Sequence, residues 1–144
     1  MNEAIIKYNI IIMHTILCLD LGTAHTGIAI SHEGILAQPL ATIFESKKDK
    51  LIGKLLPFIA KNDPETIVIG VPNHGPLVQA ASDLKNDLEK IFSGKVVLFS
   101  EDLSSRSARS LLKETGKTLL RRKKSEHQTA AAIILEDFLD NISN

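Results

Sequence analysis

The sequence predicts an α/β fold, a mixed five-stranded sheet with helices on both faces, and three observations carry the prediction. An unbroken apolar run, Ile16-Leu17-Cys18-Leu19, ends in Asp20 and is followed after a glycine-bounded gap by a second apolar run, Ile28-Ala29-Ile30. The strongest strand signal, Thr66-Ile67-Val68-Ile69-Gly70-Val71-Pro72, lies in mid-chain with helical stripes on either side of it. The hydrophobic period then alternates between strand and helix, giving the order βββαβαβαα: a three-stranded meander, then two strands each preceded by a helix.

The first run reads as a strand covered on both faces. Gly22 and Gly27 bracket a short turn, so the two runs pair as an antiparallel hairpin with Asp20 near its open end. A carboxylate in that position is either a turn residue accepting backbone hydrogen bonds or a functional group at a sheet edge. Residues 35–43 form the third strand, opened by a tight turn at His32-Glu33-Gly34. Pro39 has no N–H to give to a neighbour and favours an edge position.

Ser46-Lys47-Lys48-Asp49 has the form of a helix N-cap with an acidic first turn, and Leu51, Leu55, Phe58 and Ile59 make the buried stripe that follows. Pro57 should kink this helix, and Asn62-Asp63-Pro64 closes it. After the central strand at 66–72, Leu77, Ala81, Leu84, Leu88 and Ile91 recur at spacings of four and three, presenting Asp83, Lys85, Asp87 and Glu89 to water. Gly94 ends that helix. Lys95-Val96-Val97-Leu98-Phe99 is the fifth strand, with Ser100-Glu101-Asp102 at its carboxyl end.

Ser104 or Ser105 should cap a helix carrying Ala108, Leu111 and Leu112, which Gly116 stops. A basic run follows, Arg121-Arg122-Lys123-Lys124, and then a capping box with Ser125 as N-cap and Gln128 three positions on. The last helix is therefore expected to start at Ser125 and to run to about Asn141, burying Ala131, Ile134, Leu135 and Phe138 with His127 at the open end of that face. Alanines 130–132 let it approach the sheet closely.

Length and composition bound the function. A chain of 144 residues fits one domain, expected over residues 13–144, and residues 1–12 look like a dispensable leader or an extension of the first strand. Lys7, Asn9 and His14 interrupt the apolar residues of that leader, and no small-residue cleavage site follows, so neither a signal peptide nor a membrane helix is expected. The 17 basic and 17 acidic residues give no overall pull toward nucleic acid or an anionic membrane, so any basic surface must be local. With Cys18 as the single cysteine there is no disulfide framework and no zinc cluster, which fits a cytoplasmic protein. The absence of Trp, with one Tyr and five Phe, argues against an aromatic platform for single-stranded bases and for recognition of backbone and shape.

Asp20-x-Gly22-Thr23-x-x-x-Gly27 resembles two known hairpins, the phosphate-binding one of the sugar-kinase, actin and heat-shock ATPase fold and the metal-binding one of RNase H-like nucleases. The chain is too short for the duplicated architecture of the former, which leaves ATP-phosphate binding resting on the hairpin alone. The predicted element order is the RNase H-like pattern, in which sites collect at the carboxyl ends of parallel strands. Asp20, Glu101 and either Glu126 or His127 then converge on one edge as a metal site in outline. Hydrolysis of a phosphodiester by this route uses two divalent ions about 4 Å apart, held by hard oxygen ligands.

From about Thr15 to Asp140 the chain resembles the YqgF/RuvX family, RNase H-like proteins described as pre-16S rRNA nucleases and related to Holliday-junction resolvases. Leu19-Asp20-Leu21-Gly22-Thr23 with Gly27-Ile28-Ala29 matches its first motif, and Ile69-Gly70-Val71-Pro72 its Gly-Leu-Pro segment. Ser100-Glu101-Asp102-Leu103-Ser104-Ser105 matches its second acidic motif, and Ala130-Ala131-Ala132-Ile133-Ile134-Leu135 its closing helix. The resemblance implies catalytic, metal-binding roles for Asp20 and Glu101 and sets His127 at the third acidic position, where the family usually has Asp. Asp102 stands where the family has Arg, His25 where a basic residue is common, and the segment after Pro72 is shortened. A helix N-terminus would disfavour imidazolium at His127 and keep it able to bind a metal, while a nitrogen ligand shifts preference from Mg2+ toward Mn2+. Glu126 reads as a helix-dipole acid or a substitute ligand. Arg121, Arg122, Lys123 and Lys124 lead into the helix of His127 and would grip phosphates of a nucleic-acid substrate. The implied activity is metal-dependent cleavage of precursor rRNA. The alternatives are a resolvase of branched DNA, which would act as a homodimer, and a nucleic-acid-binding protein whose catalysis the His127 change has impaired.

Overall fold

The computed structural model of the chain describes residues 14–100 and 119–143, and for 119–125 the backbone alone. The elements run β1 (Ile16–Leu21), β2 (His25–Ser31), β3 (Gln38–Phe44), α1 (Lys48–Asn62), β4 (Thr66–Val71), α2 (Pro76–Ile91), β5 (Lys95–Ser100) and α3 (Leu119–Ser143). They form one five-stranded sheet of order β3-β2-β1-β4-β5. β1 pairs antiparallel with β2 and parallel with β4, β2 pairs antiparallel with β3, and β4 pairs parallel with β5. The two most continuously apolar strands, β1 and β4, are thus the central pair, as both-face burial requires. Pro39 lies in β3 at the sheet edge, where its partner is Ala29 beside a register shift.

Side chains alternate between two cores. Leu17, Leu19, Ile28, Ile30, Ile67 and Ile69 point to one face and pack against Leu51 and Leu55 of α1 and Ala81, Leu84 and Leu88 of α2. Ile16, Cys18, Ala29 and Val68 point to the other, where α3 covers them with Ala131, Ala132, Ile134, Leu135 and Leu139. Phe99 of β5 meets Phe138 of α3 edge to face, with ring centroids 5.6 Å apart. The alanine run does what its size predicts, since Ala131 is fully buried at the sheet.

Several local expectations change. β1 continues through Asp20 to Leu21, and Gly27 sits inside β2 opposite Asp20, so the turn spans only residues 22–24 and Asp20 lies at the closed end of the hairpin. β3 begins at Gln38, leaving Ile35 and Leu36 exposed ahead of it. The N-cap of α1 is Lys47 rather than Ser46, and the Lys47 N–H is accepted by the Glu45 carboxylate at 3.2 Å. α1 runs helical through Pro57 and ends at Asp63 in the left-handed region, φ 45°. In α2 the buried stripe stops at Leu88, and Ile91 in the last turn is exposed.

The largest difference is at α3, which already runs through residues 119–125. Ser125 is therefore not an N-cap, because Leu119, Leu120 and the four basic residues are all strong helix formers that carry the helix across it. His127 is then well inside the described helix, and a dipole effect confined to the first turn does not act on it. The helix expected over 104–115 lies outside the described residues.

Candidate active site

Strand register places one row of residues across all five strands: Thr42, Gly27, Asp20, Gly70 and Phe99. Asp20 shares its face with Ile16 and Cys18, the face that α3 covers. Both of its lateral neighbours are glycines, so the half-buried carboxylate stands in a gap between two positions without side chains. That gap admits α3. A Cβ at Gly27 would collide with the His127 carbonyl and would come within 2.9 Å of the Gln128 nitrogen, so the backbone of α3 at His127 rests directly on Gly27. The residue paired with Asp20 is thus the seat of the helix that carries His127.

The imidazoles fix the orientation. His127 stacks on His25, with centroids 4.7 Å apart and planes 6° from parallel. His25 in turn meets Phe44, its partner across β2 and β3, edge to face at 4.9 Å and 81°. Three rings therefore step from the sheet edge to α3 at the end of the sheet where Asp20 lies. The backbone beneath Phe44 is anchored, since Lys54 Nζ donates to the Phe44 carbonyl at 3.1 Å and pairs with Glu45 at 3.0 Å. The Lys54 ammonium and the Lys47 N–H hold the half-buried Glu45 carboxyl below its usual range.

Of the residues the sequence singles out, Asp20 and His127 are brought to one face and one end of the sheet. Glu101 and Asp102 lie outside the described residues, directly after Ser100, the last residue of β5. Arg121, Arg122, Lys123 and Lys124 fall within α3, where the backbone alone is described. Glu126 is exposed. Among the described residues no group of three or more His, Cys, Asp or Glu side chains is placed to hold a metal ion. By chemistry alone, the carboxylate of Asp20 and the imidazole of His127 are donor types that a divalent cation accepts, and Glu101 follows β5 directly in sequence. A cleft of about 240 Å³ lined by Leu21, Thr23, Glu45, Lys48 and Asp83 opens nearby, but Leu21 belongs to the opposite face of β1 and Asp20 does not line it.

Sequence reasoning missed the roles of Gly27, His25 and Phe44. Gly27 reads as turn punctuation until a helix is seen resting on it. His25 carries only the signal of an odd residue within the first motif, and Phe44 only that of an apolar residue ending an edge strand.

Among the described residues no helix is long and apolar enough to cross a membrane. A profile described as "RuvX: Holliday junction resolvase" matches residues 14–141. Relatives named "Putative pre-16S rRNA nuclease" include one from Onion yellows phytoplasma, 40% identical over 86% of this chain and 87% of its own length. Another, from Chloroflexus aggregans, is 33% identical over 88% of this chain and 93% of its own. Among solved structures, T. thermophilus RuvC in complex with a Holliday junction substrate superimposes with a TM-score of 0.58 at 13% identity, covering 90% of this chain and 96% of that one, a likeness of fold. The RNase H-like architecture expected from the element order is the one found. With a glycine-flanked Asp20 beneath the closing helix and a match along nearly its whole described length, the chain belongs to the RuvX family.

Proposed function

We propose that this protein is a cytoplasmic, metal-dependent nuclease that hydrolyses phosphodiester bonds of precursor 16S rRNA in maturation of its 5′ end. The observation that carries the reading is the row Gly27–Asp20–Gly70, which sets a half-buried carboxylate on a central strand between two residues without side chains, one of them under α3. Asp20 and Glu101 are the oxygen ligands, and His127 is the third, through an imidazole nitrogen. Mg2+ or Mn2+ held there supplies an activated water and stabilises the leaving oxygen. Asp20 would hold that ion, and the seating of α3 on Gly27 fixes where the His127 backbone stands relative to the strand of Asp20.

Arg121, Arg122, Lys123 and Lys124 bind phosphates flanking the scissile bond. The sequence supports this, because four consecutive cations lead into the part of α3 that carries His127 and attract phosphates without reading sequence. The names of the relatives support the rRNA substrate. The domain is assigned to residues 13–144, with the match beginning at residue 14.

A second reading, resolution of branched DNA by a homodimer, is favoured by the description of the family. Incubating purified protein with a precursor-rRNA fragment and with a four-way DNA junction, each in Mg2+ and in Mn2+, separates the two. The first reading expects cleavage of the RNA, faster in Mn2+. Cleavage of the junction alone, in paired symmetric nicks, would establish the second, and salt-dependent binding of either ligand without cleavage would leave a binding protein on a nuclease fold.

A further inference from the structure

Resting on the nuclease reading, we propose that Phe44 is a stacking platform for one unpaired nucleobase of the substrate strand. The ring is 67% exposed, the second most exposed of the large apolar side chains described, yet its backbone is anchored and one side of it is met by a neighbouring ring. Its backbone is paired to His25, its carbonyl accepts from Lys54, and one side of the ring meets the His25 imidazole. An aromatic face on an anchored backbone, with one neighbouring ring against it and the rest open to water, suits a flat apolar partner.

Position makes that partner a base. Phe44 shares a face with Asp20 and stands two strands (about 10 Å) and two residues (about 7 Å) away, within reach of neighbouring nucleotides on one strand. The site is a nucleic-acid face in the reading above, and every base offers a π-surface, so stacking here adds affinity without reading sequence. Charge is favourable too. Glu45, the nearest acid in sequence, is paired to Lys54, while Lys47 three residues beyond Phe44 forms no ion pair among the described residues. A low aromatic count excludes an extended platform; it does not exclude one ring at the right place.

The test is binding by the full chain of a labelled single-stranded RNA, its DNA counterpart and the same RNA as a duplex. Phe44→Leu keeps apolar bulk on the edge strand and removes the aromatic face, and Phe44→Trp keeps a face. Wild type and Phe44→Trp should bind single strands alike and Phe44→Leu on the order of tenfold more weakly, with all three equal on the duplex. Single abasic substitutions along the RNA should reveal one position where wild type falls to the level of Phe44→Leu and the variant loses nothing more. That arm uses wild type itself, so it holds even if the variant is unstable. A loss on RNA alone assigns the platform to ribonucleotides, and equal losses assign it to bases of either strand type. Equal single-strand affinity of wild type and Phe44→Leu, or no abasic position where they converge, overturns the proposal. Because binding needs no cleavage, failure of the nuclease reading would leave the Phe44 effect intact, and cleavage with unaltered Phe44→Leu affinity would leave the nuclease reading intact.

Discussion

The two faces of the sheet are built from different materials. Beneath α1 and α2, β1 and β4 present Leu17, Leu19, Ile67 and Ile69, and the helices answer with Leu51, Leu55, Leu84 and Leu88. Beneath α3 the same strands present Cys18, Val68, Asp20 and Gly70, β2 adds Ala29 and Gly27, and the helix answers with Ala131 and Ala132 beside Ile134, Leu135 and Leu139. The first face buries volume, which is where most folding free energy originates. The second gives up volume at Gly27 and Gly70, and at Gly27 a helix backbone comes down onto the strand beside Asp20. The face that holds Asp20 thus trades side-chain volume for close approach of its helix, and the other does not.

Breaking the first face should cost stability alone. Leu88→Ala removes a fully buried side chain and should lower unfolding free energy by about 3 kcal/mol in urea titrations, with cleavage per folded molecule unaltered. Breaking the second face should cost both. In Gly27→Ala the new Cβ meets the backbone of His127 and Gln128, which cannot rotate aside, so a loss of about 2 kcal/mol should come with a loss of cleavage as α3 is pushed away. Gly53 is the control. It lies in α1 with open space around its Cβ position, and Gly53→Ala should stabilise by about 0.5–1 kcal/mol without touching activity.

The smallest effect sharpens the same contrast. α3 carries Glu136, Asp137 and Asp140 toward its carboxyl end. Partial burial, and then the charge of Asp140, holds the Glu136 and Asp137 carboxyls above their usual range. Acids with a raised folded-state pKa favour folding fully below the ordinary carboxylate range, and that contribution is lost as pH rises through the raised values. Asp140→Asn should therefore raise stability by about 0.3 kcal/mol at pH 7, an increment that vanishes near pH 3. Urea titrations at the two pH values check it.

What the sequence made legible follows the same division. Continuous β-branched runs and stripes at helical spacing identify the first face, because burial of volume leaves a periodic trace. On the second face Asp20 was legible, since a carboxylate ending an apolar run has few structural reasons to be there, and the alanine run announced a close helix. Gly27 was not, because a turn glycine and a glycine under a helix look the same without the helix. The Ser125–Gln128 pattern misled for a related reason: a capping box is local, and six strong helix formers ahead of it outweigh it. His25 and Phe44 depend on cross-strand register, which a bulge between Ile28 and Ala29 shifts.

The most direct test of the account is Asp20→Asn, measured twice on one preparation, by cleavage of the precursor-rRNA fragment in Mn2+ and by thermal unfolding. The expected result is a fall in cleavage of about a hundredfold or more by a variant that still unfolds cooperatively, since Asn keeps the shape of the side chain and removes the charge that the ion would need. Undiminished cleavage by a variant that still folds would contradict it and remove Asp20 from the site.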